Sequence, residues 1–160
     1  MNKIMVRVAD HAVGRGGDVL VTLGLGSCVA ILLHDPEVTV GGMAHVLLPD
    51  PSSSRNPTNR AKFATTAVSL LLEEMAGLGG DPGRAEARLV GGASMFASLK
   101  TATTMNTGER NLEAARGALQ LAGVPLVGEA VGEDYGRSVR FRIKDGKTTV
   151  TSVMRDDIVL

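Results

Sequence analysis

Residues 19–49, VLVTLGLGSCVAILLHDPEVTVGGMAHVLLP, hold three apolar runs separated by two short breaks. The runs cover residues 19–23, 29–33 and 40–48 and are rich in β-branched and aliphatic side chains. Runs of that length and composition, bounded by turn residues, read as strands. The first break is Gly24-Leu25-Gly26-Ser27. The second begins Asp35-Pro36, with Asp at the first and Pro at the second position of a β-turn. The second and third runs therefore form a hairpin, and the chain is committed to a strand-rich core.

The open end of this hairpin carries chemistry. Cys28, the single cysteine, follows the glycine-serine loop, and His45 lies in the third run. With Pro36 and Glu37 as the central turn residues, Cys28 pairs with His45. Directly opposed Cβ atoms lie about 4.5–5.5 Å apart, within reach of a thiol–imidazole hydrogen bond. A slip of one residue would put the two side chains on opposite faces. A nearby imidazolium favours the thiolate, which is the nucleophile. Glycines let a loop turn its N–H groups toward a reacting carbonyl. The N–H of Cys28 and the loop backbone at Gly26 and Ser27 are thus candidate oxyanion donors. The same residues also fit a plain core, because a lone cysteine often serves as a small buried hydrophobe. Residue chemistry leaves both readings open.

Two words in this stretch, Thr22-Leu23-Gly24-Leu25-Gly26-Ser27-Cys28-Val29 and Gly41-Gly42-Met43-Ala44-His45, resemble the signature of the CheD family, the chemoreceptor glutamine deamidases of bacterial and archaeal chemotaxis. Lys62-Phe63-Ala64, Leu71-Leu72-Glu73-Glu74-Met75, Gly91-Gly92-Ala93-Ser94-Met95-Phe96, Gly108-Glu109-Arg110-Asn111 and Tyr135-Gly136-Arg137 follow in the family's order. The resemblance spans about residues 19–150. It places the family's cysteine nucleophile, histidine and threonine on Cys28, His45 and Thr22. One departure is Thr65, where the family often has an acidic residue.

The resemblance implies hydrolysis of glutamine side-chain amides on chemoreceptor cytoplasmic domains, giving glutamate and ammonia through a cysteine thioester. It implies no metal and no cofactor, and it extends in some relatives to methyl esters at the same sites. It also implies partnership with a CheC-type phosphatase. A second reading follows from that partnership: a regulatory binding module for the phosphatase, with little catalysis of its own.

Composition bounds these readings. The length of 160 residues fits a single domain, residues 1–160. Aromatics make up only 2% against 44% apolar residues, so the core is built from Val, Leu, Ile, Ala and Met. That leaves little for stacking on nucleic-acid bases. Seventeen basic and seventeen acidic residues balance, so the chain has no general attraction for nucleic acid or anionic membrane. One cysteine makes no intramolecular disulfide, and with three histidines it is a poor soft-metal donor set. No run approaches the roughly 20 apolar residues of a membrane span. The expectation is a cytoplasmic protein without direct membrane insertion.

The rest of the chain reads as follows. Residues 4–8 form a first strand, and His11 beyond them is a surface loop residue. His34 flanks the turn and is solvated. Gly41 and Gly42 mark either a bend or a close backbone approach that opens room for substrate beside Cys28. Residues 50–59 are a polar loop. A helix runs from about 59 or 60 to 76, burying Phe63, Ala67, Leu70, Leu71 and Met75. A strand at 87–90 enters a tight Gly91-Gly92-Ala93 turn beside the site, with Ser94 and Phe96 as candidate substrate or partner contacts. A second helix spans 108–122 and stops at Gly123. Strands at 125–131, 138–144 and 147–153 follow, the last two joined by Asp145-Gly146. Arg140, Arg142 and Lys144 line a solvated sheet face, and the tail frays from about Arg155. The fold class is α+β, a layered sandwich of mixed or antiparallel sheets with two main helices packed outside.

Overall fold

The computed structural model describes residues 2–94 and 106–160. Two five-stranded sheets stack face to face. The outer sheet runs β1 (Lys3–Met5), β3 (Val19–Leu25), β8 (Arg137–Arg142), β9 (Thr148–Thr151), β10 (Ile158–Val159). The inner sheet runs β2 (His11–Arg15), β5 (Val40–Val46), β4 (Val29–Asp35), β6 (Glu86–Gly91), β7 (Leu126–Val131). β1 and β3 are parallel, as are β6 and β7; every other pair is antiparallel. Helices α1 (Ala64–Ala76) and α2 (Thr107–Ala122) cover the far face of the inner sheet. The layers are therefore sheet, sheet, helices: an α+β sandwich with both main helices outside.

The inner sheet is covered on both faces, which explains its sequence. All seven residues of β4 and all seven of β5 are buried. Strands covered on both sides read as continuous apolar runs rather than alternating ones. Ile31, Leu33, Ala44 and Val46 face α1 and α2, where Leu71, Met75, Leu112 and Leu119 meet them. Ala30, Leu32 and Met43 face the outer sheet, against Leu20, Val139 and Phe141.

The hairpin forms with a shifted register. Asp35 pairs with Val40, so the loop is Pro36, Glu37, Val38 and Thr39, with Thr39 at φ 49°. Ala30, not Cys28, stands opposite His45. The shift is two residues along one strand, so the faces are preserved.

Other differences have local causes. His11 opens β2, an edge strand, and its Nε2 lies 2.8 Å from Glu74 on α1. His34 is buried, donating from Nε2 to the Ile143 carbonyl at 2.7 Å with its ring edge-on to Phe141. The outer sheet covers the turn end of the hairpin and removes the solvent expected there. A 3-10 turn at Arg60–Lys62, capped by Asn59, precedes α1. The tail is not frayed throughout: Ile158 pairs with Val150 and Val159 with Thr149.

Gly41 and Gly42 are sites of close approach within a regular ladder. A Cβ on Gly41 would lie 3.1 Å from the Phe141 ring and from the Leu33 carbonyl. One on Gly42 would lie 3.1 Å from Leu71 and Val13. Gly41→Val should therefore lower unfolding free energy by about 1–3 kcal/mol through overpacking between the sheets. Gly117→Ala, in α2 with open space around its Cα, should raise it by roughly 0.5–1 kcal/mol. Urea unfolding of the two variants checks both signs.

Candidate active site

β3 leaves the outer sheet and crosses to β4 in the inner sheet through Gly26, Ser27 and Cys28. The crossing follows a bulge: Thr22 pairs with Val139 and Leu25 with Arg137, while Gly24 takes φ 69°. The bulge leaves Leu23 exposed and Thr22 and Leu25 both inside. Extra residues in one strand bend it and re-aim its side chains. Cys28 then lies on the same face as Ala30, between the sheets and half-buried. His45 faces the same gap from β5, diagonal to Cys28. Such diagonal neighbours lie about 7–8 Å apart, within reach of long side chains.

His45 is fully buried and its protonation pattern is decided by its neighbours. Its backbone N–H donates to Asp10 at 3.0 Å and its carbonyl accepts from Ala9 at 2.9 Å. Its Nδ1 lies 2.7 Å from the Thr22 hydroxyl oxygen, and that hydroxyl lies 2.6 Å from the Val6 carbonyl. A carbonyl only accepts, so the single hydroxyl proton of Thr22 goes to Val6. The imidazole must then donate from Nδ1 to Thr22, which leaves the lone pair on Nε2. Nε2 is buried and has no hydrogen-bond partner among the described residues. The buried ring thus keeps a nitrogen lone pair in the layer where Cys28 packs.

Burial sets the resting charges. It pushes the Cys28 thiol above its ordinary range, against a smaller opposing effect of the residue's own backbone N–H. Burial also pushes His45 below the usual imidazole range. Both shifts favour the neutral forms. Burial therefore works against the ionised sulfur that an adjacent imidazolium would favour.

The loop is held from one side by three consecutive carbonyls. Gly26 accepts from Ala93 at 2.9 Å and Cys28 from Gly92 at 2.8 Å. Ser27 accepts from Asn111 Nδ2 on α2 at 3.0 Å. Gly91, at φ 107°, could carry no side chain there, since its Cβ would meet the Cys28 carbonyl at 2.4 Å. The Gly91-Gly92-Ala93 turn therefore braces the cysteine loop. Ser94 donates its N–H to Glu133 at 2.8 Å, and its hydroxyl takes a hydrogen bond from Asn106 at 2.6 Å. The first ties the loop to the segment after β7, and the second ties it to the N-cap of α2. Phe96 lies outside the described residues.

The structure thus brings Cys28, His45, Thr22, Gly26 and Ser27 together. It sets Gly41 and Gly42 toward the turn end of β5, packed against Phe141 and Leu71. They open no room beside Cys28, because the register carries them along the strand, away from it. Sequence reasoning gave Asn111 no role. Its signals were its place in the Gly108-Glu109-Arg110-Asn111 word and a polar residue beside the apolar stripe of α2.

The neutral resting state of His45 has a consequence for stability. A folded pKa below the unfolded one means the unfolded chain binds the proton first as pH falls. The stabilisation is complete above about pH 6.5 and is lost as pH drops through the folded value. Unfolding free energy should fall in that window by at most about 1.4 kcal/mol per pH unit from this group. In a His45→Gln variant that slope should flatten, as read from urea midpoints across pH.

A family profile described as "CheD chemotactic sensory transduction" matches residues 47–152. A protein named "Probable chemoreceptor glutamine deamidase CheD 2" from Geobacter metallireducens is 46% identical over 157 residues, 97% of each chain. "Chemoreceptor glutamine deamidase CheD" of Thermotoga maritima is 43% identical over 151 residues, 94% of this chain and 92% of that one. A "Probable chemoreceptor glutamine deamidase CheD" from Desulforamulus reducens is 40% identical over 151 residues, 94% of this chain and 91% of its own.

Proposed function

The chain belongs to the CheD family, and on that premise we propose that it is a chemoreceptor glutamine deamidase working through Cys28. The observation that carries this reading is the hydrogen bond of His45 to Thr22, which leaves Nε2 unpartnered in the layer between the sheets where Cys28 also packs. The reaction starts from the neutral pair. As the glutamine carboxamide approaches, the Cys28 thiol transfers its proton to Nε2 and the sulfur attacks the amide carbon. The carbonyl electrons move to oxygen, which the loop N–H groups of Ser27 and Cys28 receive. Collapse of this adduct breaks the C–N bond, and imidazolium gives its proton to the departing ammonia. Water then loses a proton to Nε2, attacks the thioester and releases glutamate and the thiol.

Thr22 matters because it fixes which nitrogen carries the proton. A hydroxyl that already donates to Val6 can only accept from Nδ1. The same arrangement would serve a methyl ester, since the acyl-enzyme is identical and only the leaving group differs. No step calls on a metal or cofactor, and among the described residues no group of three or more metal-ligating side chains assembles.

The substrate of this reading is a chemoreceptor, as the relatives' names indicate; the proposal places the reaction on its cytoplasmic part, with the protein acting in the cytoplasm. Among the described residues no helix is long and apolar enough to cross a membrane. Docking with a CheC-type phosphatase belongs to the same proposal.

Mass spectrometry of a receptor cytoplasmic fragment incubated with the protein should show glutamine-to-glutamate conversion, and Cys28→Ala should abolish it. His45→Ala should lower kcat roughly 10²–10⁴-fold, the usual contribution of a positioned acid–base. Thr22→Val should lower it by a smaller factor, leaving the ring in place with the tautomer unfixed. Conversion by Cys28→Ala at the wild-type rate would remove the cysteine from the mechanism.

A further inference from the structure

Resting on that reading, we infer that Asn111 is a positioning residue whose side-chain amide holds the Ser27–Cys28 peptide so that the Cys28 N–H faces the reacting oxygen. Asn111 lies in the first turns of α2 and is fully buried. Its Nδ2 donates both hydrogens, to the Ser27 carbonyl at 3.0 Å and to the Leu47 carbonyl at 3.1 Å. Two carbonyl acceptors settle which end of the amide is nitrogen. Its Oδ1 is buried and has no hydrogen-bond partner among the described residues.

The geometry of the peptide group does the rest. No peptide bond among the described residues is cis. In a trans peptide the carbonyl and the N–H point in opposite directions within one plane. The Ser27 carbonyl and the Cys28 N–H belong to the same peptide. Drawing that carbonyl toward α2 turns the Cys28 N–H away from α2, on the side where the sulfur reacts. Leu47, the second acceptor, lies just past β5, which is locked in the inner sheet. The amide is therefore held at one end by rigid structure and holds the loop at the other.

α2 is placed to make this contact by close packing. A Cβ on Gly108 would lie 2.5 Å from the Ala93 carbonyl, and one on Gly92 would lie 2.4 Å from Leu112. The helix start thus rests directly on the turn that braces the cysteine loop. Burying an amide oxygen without a partner is unfavourable. A residue chosen for packing alone would not carry it. Asn supplies the two donors that both carbonyls need, and the unused oxygen accompanies them.

His45 is held independently, by Thr22 and by the backbone of Ala9 and Asp10. Removing Asn111 should therefore weaken oxyanion stabilisation without disturbing the thiol–imidazole pair. Alkylation of Cys28 by iodoacetamide separates the two, because displacement of iodide at a saturated carbon develops no oxyanion. For Asn111→Ala, and for Asn111→Asp, which keeps the volume and removes the donors, kcat for ammonia release from a receptor fragment should fall about 10²-fold. KM and the iodoacetamide rate constant should each stay within about threefold of wild type, while the urea midpoint falls because the Ser27 and Leu47 carbonyls lose their donors. An unchanged kcat would overturn the inference, as would equal losses in kcat and alkylation, or loss of the fold in both variants. Full activity in Cys28→Ala would instead overturn the underlying reading, and the inference with it.

Discussion

One proton on the Thr22 hydroxyl organises the site. It goes to the Val6 carbonyl, and that single choice compels His45 to donate from Nδ1. The relay spans the sandwich, with Val6 and Thr22 on the outer-sheet side and His45 in the inner sheet. It works only if the sheets stack at a definite spacing and offset. The residues that set that stacking, Leu20, Val139 and Phe141 against Leu32 and Met43, thereby also set the tautomer of the base. Packing and chemistry are one constraint here.

The seam between the sheets suits a neutral proton-transfer pair. Burial discourages the charged forms of both Cys28 and His45, so the site stores no ion pair before substrate arrives. In the proposed mechanism charge develops when the thiol proton moves, beside a base that is itself fully buried. Interactions with developing charge are stronger in such surroundings than in water. The cysteine loop is held by the Gly26, Ser27 and Cys28 carbonyls rather than by its N–H groups. In the proposed mechanism this leaves the Ser27 and Cys28 N–H groups for the developing oxyanion. Three buried polar atoms lack partners among the described residues: His45 Nε2 and Asn111 Oδ1 belong to residues flanking this loop, and Arg137 Nε to the residue paired with Leu25 just before it. Such groups detract from stability, and their concentration at one end of the molecule marks where function outweighed it.

Much of the architecture was legible before any coordinates. The 19–49 stretch announced three strands and a hairpin, and the inner strands came out covered on both faces, as their unbroken apolar character implies. The expected pairing of Cys28 with His45 was wrong because turn chemistry locates a turn more reliably than it fixes its length. Asp35-Pro36 admits a four-residue loop that continues through Thr39 in the left-handed region. The face assignment survived because the error was an even number of residues. β2 escaped notice because HAVGR, with a histidine, a glycine and an arginine, looks like a loop; its pairing with β5 makes it a strand. His34 was misjudged for a related reason. A turn-flanking histidine is solvated unless another layer covers it, and the layer that does so arrives from more than a hundred residues away.

The amino-acid order determined the strand character of residues 19–49, the turn at Asp35-Pro36, and a lone thiol beside a flexible loop with a histidine on the returning strand. These are matters of local propensity and of period-two geometry, which nearby residues settle among themselves. Only the tertiary structure decided that Thr22 meets His45 across two sheets, that Nε2 is the free nitrogen, and that Asn111 holds the cysteine loop. Those contacts join segments 23 to 84 residues apart. Their distances depend on how whole layers stack, and no local pattern records that.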